Sequence, residues 1–169
     1  MKKQLTLGIA LLVSTLSPAH AVLMSADWGE AACEAWNNNV TLTDELGGDT
    51  WAANDGGKGY KIMQVYRMDC SEAPTAELQI SNQDGKAICT YGGAVQSTDL
   101  DKSVDYIMFA KTSNWERMGD GRDGAMKAMT FGRLKFTGPK MEAMSNMGPF
   151  GAFLKLTGDV ETETGDCPQ

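Results

Sequence analysis

One short run, Gly132 to Gly138 (GRLKFTG), constrains this chain more than any other, because it alternates within a region otherwise patterned for helix. Leu134 and Phe136 fall on one face and Arg133, Lys135 and Thr137 on the other, the signature of a half-buried strand with one wet side. Upstream, Ala125 to Phe131 carries Met126, Met129 and Phe131 in a helical pattern. Downstream, Pro139 suits the first position of a helix, and Met141, Met144 and Met147 recur at spacing three until Gly148-Pro149 interrupts. Phe150, Phe153 and Leu154 continue the apolar stripe, which predicts a bent or two-part helix. The dry face of such a strand must be covered by the helices beside it, so α and β layers are both required.

The rest of the chain supplies those layers. From Ser25 the pattern is helical, with Asp27 as cap, Glu30 three residues on, and Trp28, Ala32, Ala35 and Trp36 on one face; Asn37-Asn38-Asn39 ends it. A short helix is predicted over Thr43 to Leu46, before the Gly/Asp/Asn-rich loop Gly47 to Gly59. Strands at Lys61 to Met68, Ala76 to Ser81 and Ala87 to Tyr91 read as a meander turning at Gln83-Asp84-Gly85. A fourth strand, Val104 to Ala110, is apolar on both faces, which predicts cover on both sides. Ser113-Asn114-Trp115-Glu116 reads as a capping box opening a short helix with Trp115 and Met118. Gly119 to Gly124 ends that helix, and Asp123 within it is the expected N-cap of the next. The predicted fold class is α+β, a five-stranded mainly antiparallel sheet covered by helices.

A helical turn, then Gly132-Arg133-Leu134-Lys135-Phe136-Thr137-Gly138, then a helix ending Phe153-Leu154-Lys155-Leu156, resembles the C-terminal half of the sterol carrier protein type 2 family. The family pattern there is G-K-L-K-I-K-G followed by an apolar helix. The likeness extends upstream through Val104-Asp105-Tyr106-Ile107-Met108 and, faintly, to the first helix, covering roughly Ser25 to Val160. One departure is the segment Pro139 to Pro149, which the shorter family pattern lacks and which bears on the mouth of the ligand tunnel.

The resemblance implies a non-catalytic carrier that holds a fatty acyl or sterol-like molecule in an apolar cavity between sheet and helices. Methionine density agrees with that implication, since a flexible, polarizable side chain adapts to irregular guests. The candidate ligand-binding residues are Met108, Met118, Met126, Met129, Met141, Met144 and Met147, with Trp115, Phe131, Leu134, Phe136, Phe150, Phe153 and Leu154. A second reading is an accessory protein that docks on a periplasmic partner protein through a Met/Phe-rich groove, without a small ligand.

Lys2 and Lys3 precede the apolar run Leu5 to Leu12, and Ala19-His20-Ala21 supplies small residues where a signal peptidase reads. Residues 1–21 are therefore expected to be a signal peptide cleaved after Ala21, with a periplasmic destination. The apolar run is shorter than the roughly 20 residues a spanning helix needs, so no stable membrane anchor is expected. Residues 22–169, 148 in number, form the expected single lipid-binding domain. Loss of residues 1–21 removes two lysines and no acids, moving the formal charge from −7 to −9, which disfavours nucleic acid and tight docking on anionic lipid.

Cys33, Cys70, Cys89 and Cys167 survive processing, and an even count in an oxidising compartment predicts two disulfides, with three pairings open. If one strand separates Cys70 from Cys89, two spacings of about 4.8 Å exceed the roughly 7 Å reach of a disulfide, which argues against that pair. No C-x-x-C occurs and the sole histidine, His20, lies in the discarded segment, so no metal set, cofactor or His-based catalysis is expected. There is no G-x-S-x-G elbow and no phosphate-binding G-x-x-x-x-G-K-[ST] loop. Gly119 to Gly124 matches G-x-G-x-x-G but follows a helical pattern instead of a strand, and reads as a turn.

Overall fold

The computed structural model describes residues 20–169; most of the expected signal peptide lies outside them. The first elements are β1 (Ala21–Val22), α1 (Ala26–Asn37) and α2 (Val40–Glu45). Then come β2 (Lys61–Arg67), β3 (Ala76–Gln83), β4 (Lys86–Gly93) and β5 (Tyr106–Ala110). The C-terminal part is α3 (Thr112–Gly119), α4 (Ala125–Thr130), β6 (Lys135–Thr137), α5 (Lys140–Ser145), α6 (Met147–Asp159) and β7 (Thr162–Glu163). The main sheet runs β4-β3-β2-β5-β6, with β2 and β5 parallel and every other pairing antiparallel. The fold is therefore α+β with a mixed, mainly antiparallel five-stranded sheet. β1 and β7 form a separate parallel pair that joins the two ends of the described chain.

Strand register explains which residues make the core. Met63 lies between Leu78 and Tyr106, and Val65 between Ala76 and Met108, so these side chains share the inner face. Phe136 pairs with Met108 and joins them. On this face rest Trp28, Ala32 and Trp36 of α1 and Phe153, Leu154 and Leu156 of α6, all essentially without exposure. The Trp36 indole N–H donates to the Ala87 carbonyl at 2.9 Å, which fixes α1 over β4.

The outer face departs from the sequence reading of β5. Ile107 and Phe109 are only half-buried, and Phe109 stacks on Tyr66 at 5.0 Å instead of meeting a helix. Next to them the outer face is polar: Glu77 accepts from Gln64, Gln79, Ser97 and the Gln96 amide, so the irregular segment after β4 covers it through hydrogen bonds. β5 also begins at Tyr106 and not at Val104, because the Asp105 carboxylate turns back to accept the amides of Ile62 and Asp101.

Several helix starts differ from the sequence reading. Ser25, not Asp27, caps α1, its Oγ accepting the Trp28 amide at 3.2 Å. Asn39 caps α2, which therefore starts at Val40 and not Thr43. α3 has no Ser113 capping box; Asp69, just beyond β2, accepts the Thr112 amide at 3.0 Å and its hydroxyl at 2.8 Å. Pro139 sits one position before α5, and Gly124, not Asp123, caps α4.

Asp123 serves instead as a hub. Its carboxylate contacts Arg117 at 2.7 Å, Lys127 at 2.9 Å and Arg133 at 2.6 Å, and these cations wall it in. The Arg117 guanidinium first, then Lys127 and Arg133, hold its carboxyl well below the ordinary 3.8. Glu77 is also lowered: burial alone would raise its carboxyl, but hydrogen bonds from Gln79, Gln64 and Ser97 outweigh that. Carboxyls with lower pKa folded than unfolded stabilise the protein above their unfolded pKa, and that stability drains as pH falls through the folded value. The melting temperature is therefore expected to fall steadily below about pH 4, and Asp123→Asn to flatten that decline, in thermal melts across the acid range.

The disulfides are Cys33–Cys89 and Cys70–Cys167, each with Cα atoms 5.4 Å apart. Cys70 and Cys89 flank β3 and do not pair, in line with the spacing argument. The first bond staples α1 to β4; the second ties the C-terminal tail to the end of β2, where Arg67 donates to the carbonyls of Thr164 and Asp166. Thiol titration in denaturant is expected to find no free cysteine, and removing either bond should lower stability by about 2 to 4 kcal/mol.

Candidate functional site

Six aromatic rings run as a chain through the space between sheet and helices. Phe153 meets Trp36, Trp36 meets Trp51, and Trp51 stacks on Tyr106, each with centroids 6.1 Å apart. Tyr106 meets Phe136 at 6.4 Å and Phe136 meets Phe150 at 6.1 Å. Both ends of the chain of rings lie on α6. A void of about 20 Å³ is bounded by five of them, all but Phe136, and by Leu46, Met63, Met108, Ala143, Asn146 and Pro149. That is room for about one water molecule, but its walls offer little for a water to bond.

α5 forms one wall of this void and is held in an unusual way. Its only fully buried residue is Ala143, while Met141 and Met144 are 76% and 50% exposed, so apolar burial contributes little to its docking. Glu142 does the holding. Its carboxylate accepts from the Lys61 ammonium at 3.0 Å, the Tyr106 hydroxyl at 2.5 Å and the Asn54 side-chain amide at 2.8 Å. The Asn146 side chain closes the turn by donating to the Glu142 carbonyl at 2.8 Å.

Lys61 is fully buried on the inner face of β2. Besides Glu142 it donates to the Asn54 carbonyl at 2.8 Å, and its ammonium lies 4.8 Å from the Trp51 ring centre and 5.6 Å from that of Tyr106. Burial pushes the Lys61 pKa down against the opposing pull of Glu142. Burial pushes the Tyr106 phenol far up, and its hydrogen bond to Glu142 adds to that. Nearby Asp105 is committed elsewhere, to Lys58 and to the amides of Ile62 and Asp101. A buried cation, a phenol and a carboxylate thus sit behind two of the void's aromatic walls. The set can hold and orient a polar head; it includes no activated nucleophile.

The residues singled out in sequence divide into four groups. Met108, Phe150 and Phe153 line the void, and Phe136 touches two rings that do. Leu134, Leu154, Trp115 and Met118 are packed in the core; Trp115 and Met118 belong to α3, where the Trp115 indole N–H donates to the Tyr66 carbonyl and the Trp115 carbonyl accepts from Thr157. Met129 and Met147 are half-buried. Met126 and Phe131, on α4 and at its C-terminal cap, are exposed; so are Met141 and Met144, because the chain breaks at Asn146 and α5 does not continue the face of α6. Trp36, Trp51, Met63 and Tyr106 also line the void, and the sequence reading does not include them; the alternation of β2 and the Trp-bearing face of α1 carry that signal. Lys61 and Glu142 carry no local signal at all.

A mixed five-stranded sheet roofed by helices around an apolar void, with a buried cluster of polar groups beside it, defines an α+β fold of the sterol-carrier type. The family model described as the SCP-2 sterol transfer family matches residues 49–151, and the chain belongs to that family. The solution structure of a conserved hypothetical protein from Thermus thermophilus is similar in fold, at 15% identity with a TM-score of 0.51 over 87% of this chain and 97% of the other. A crystal structure of sterol carrier protein 2 aligns at 16% identity, covering 82% of this chain and 98% of its own length, with a TM-score of 0.48. No curated protein matches the chain.

Proposed function

We propose that this protein binds and carries a hydrophobic molecule of the fatty acyl or sterol-like class, without chemistry, in the periplasm. The observation that carries this reading is the apolar void lined by five aromatic side chains, in a chain that belongs to a sterol transfer family. A void of about 20 Å³ is far short of the roughly 300 to 1,000 Å³ of ligand sites, so a guest must displace a wall. α5 is the wall with the least apolar burial. Ligand-lining residues are then Met108, Phe136, Phe150 and Phe153, joined by Trp36, Trp51 and Tyr106.

Organic extraction of purified protein followed by mass spectrometry tests this directly. A stoichiometric lipid is the expected result; absence of lipid together with failure to bind a fluorescent fatty acid would sink the reading. Exposure of Met126, Phe131, Met141 and Met144 supports the second reading, a surface that docks on a partner protein. Two disulfides fit an oxidising compartment, and among the described residues no helix is long and apolar enough to cross a membrane. Intact mass of the periplasmic product is expected to begin at Val22.

A further inference from the structure

Lys61 poses a question that packing alone does not answer. A buried ammonium on the inner face of a sheet is unfavourable unless a carboxylate meets it, and replacing such a pair by apolar residues is often neutral or stabilising. Here the partner carboxylate comes from α5, the segment that departs from the family pattern and that its own apolar contacts hold least. Glu142 is the only carboxylate hydrogen-bonded to Lys61 among the described residues. The ammonium lies against Trp51 and Tyr106, whose rings also bound the apolar void.

We propose that the carried molecule bears a carboxylate head, that this head pairs with Lys61 and Tyr106, and that Glu142 occupies the head group's place until the ligand displaces it. The proposal rests on the carrier reading and narrows it to single-chain carboxylates such as fatty acids. A ligand carboxylate reproduces the three bonds Glu142 receives, from the Lys61 ammonium, the Tyr106 hydroxyl and the Asn54 amide. Its chain runs into the space beside Trp51, Tyr106 and Ala143. Exchange of one carboxylate for another leaves no buried charge unpaired, and it removes the contacts that hold α5 down. Binding and opening are thereby one event. A head group without charge, such as an alcohol, cannot displace Glu142 on equal terms, since charge-assisted bonds are roughly twice as strong as neutral ones.

The test compares hexadecanoic acid with hexadecan-1-ol as competitors of a fluorescent fatty acid, on wild type, Glu142→Gln, and the double variant Lys61→Met/Glu142→Gln. Wild type is expected to prefer the acid by about tenfold, and Glu142→Gln to bind the acid about tenfold more tightly still, since its competitor is gone. The double variant carries no unpaired charge, so it should fold, and it should bind acid and alcohol alike. Equal affinity for acid and alcohol in all three proteins, or an acid preference that survives in the double variant, overturns the head-group assignment while the carrier reading stands. Failure of wild type to bind either competitor overturns both. Should the double variant not fold, unchanged acid affinity in Glu142→Gln is by itself sufficient to overturn the proposal.

Discussion

Phe153→Asp is expected to lower the melting temperature by more than about 10 °C. Phe153 is 1% exposed, lies edge-on to Trp36 and borders a void that holds about one water. An aspartate there would bury a carboxylate with no partner, at a cost of several kcal/mol. Phe153→Ala separates packing from charge. It enlarges the void at a cost of about 3 to 5 kcal/mol, and a hexadecyl chain that enters the enlarged space stabilises the folded state by mass action. Melting curves with and without hexadecanoic acid should show a larger ligand-induced rise for Phe153→Ala than for wild type. A rise in neither protein would mean a solid core.

Gly92→Ala is expected to be nearly as damaging, although it adds a single methyl group. A Cβ at Gly92 would stand 2.2 Å from the Gly29 carbonyl oxygen and 2.5 Å from the Cys33 Cβ. Neither neighbour can give way: one is helix backbone, and the other is held by the Cys33–Cys89 disulfide. α1 would have to lift from β4, detaching the Trp36 bond to Ala87, so a loss of more than about 3 kcal/mol is expected in denaturant titration. Gly151→Ala is the contrast. It lies inside α6 with open space around its Cβ position, so the same methyl should stabilise by about 0.5 to 1 kcal/mol.

Local periodicity made the sheet readable. The alternation in Ala76, Leu78 and Ile80, and in Leu134 and Phe136, stated the inner face before any contact was known, and a strand separating Cys70 from Cys89 argued against one disulfide. What periodicity could not state was the partner of a group whose partner lies far along the chain. Lys61 meets Glu142 across 81 residues, and a lysine opening a strand reads as a solvated edge. The Gly29–Gly92 and Gly119–Gly158 approaches are equally silent, since glycine in a helix or strand reads as a weak point and not as a contact surface. The methionine stripe misled for a related reason: spacing of three implies a shared face only while the helix continues, and Asn146 breaks it.

The joined chain ends govern how the molecule can assemble. Val22 lies beside Glu163, whose carbonyl accepts the Leu23 amide, Cys70 is bonded to Cys167, and both terminal nitrogens of the Arg67 guanidinium donate to carbonyls close to the C-terminus. Contacts of such sequence separation form slowly, because the loop they close must be ordered before they contribute. A chain emerging from its N-terminus can build the β2-β3-β4 meander early, yet β2 stays an open edge until β5 arrives, and most of the Arg67 donors wait for the tail. Assembly is consequently completed from the C-terminus: truncation of the last ten or so residues leaves Cys70 a free thiol and two Arg67 donors without acceptors, and should trap a species prone to disulfide-linked self-association, whatever the stability of the finished protein.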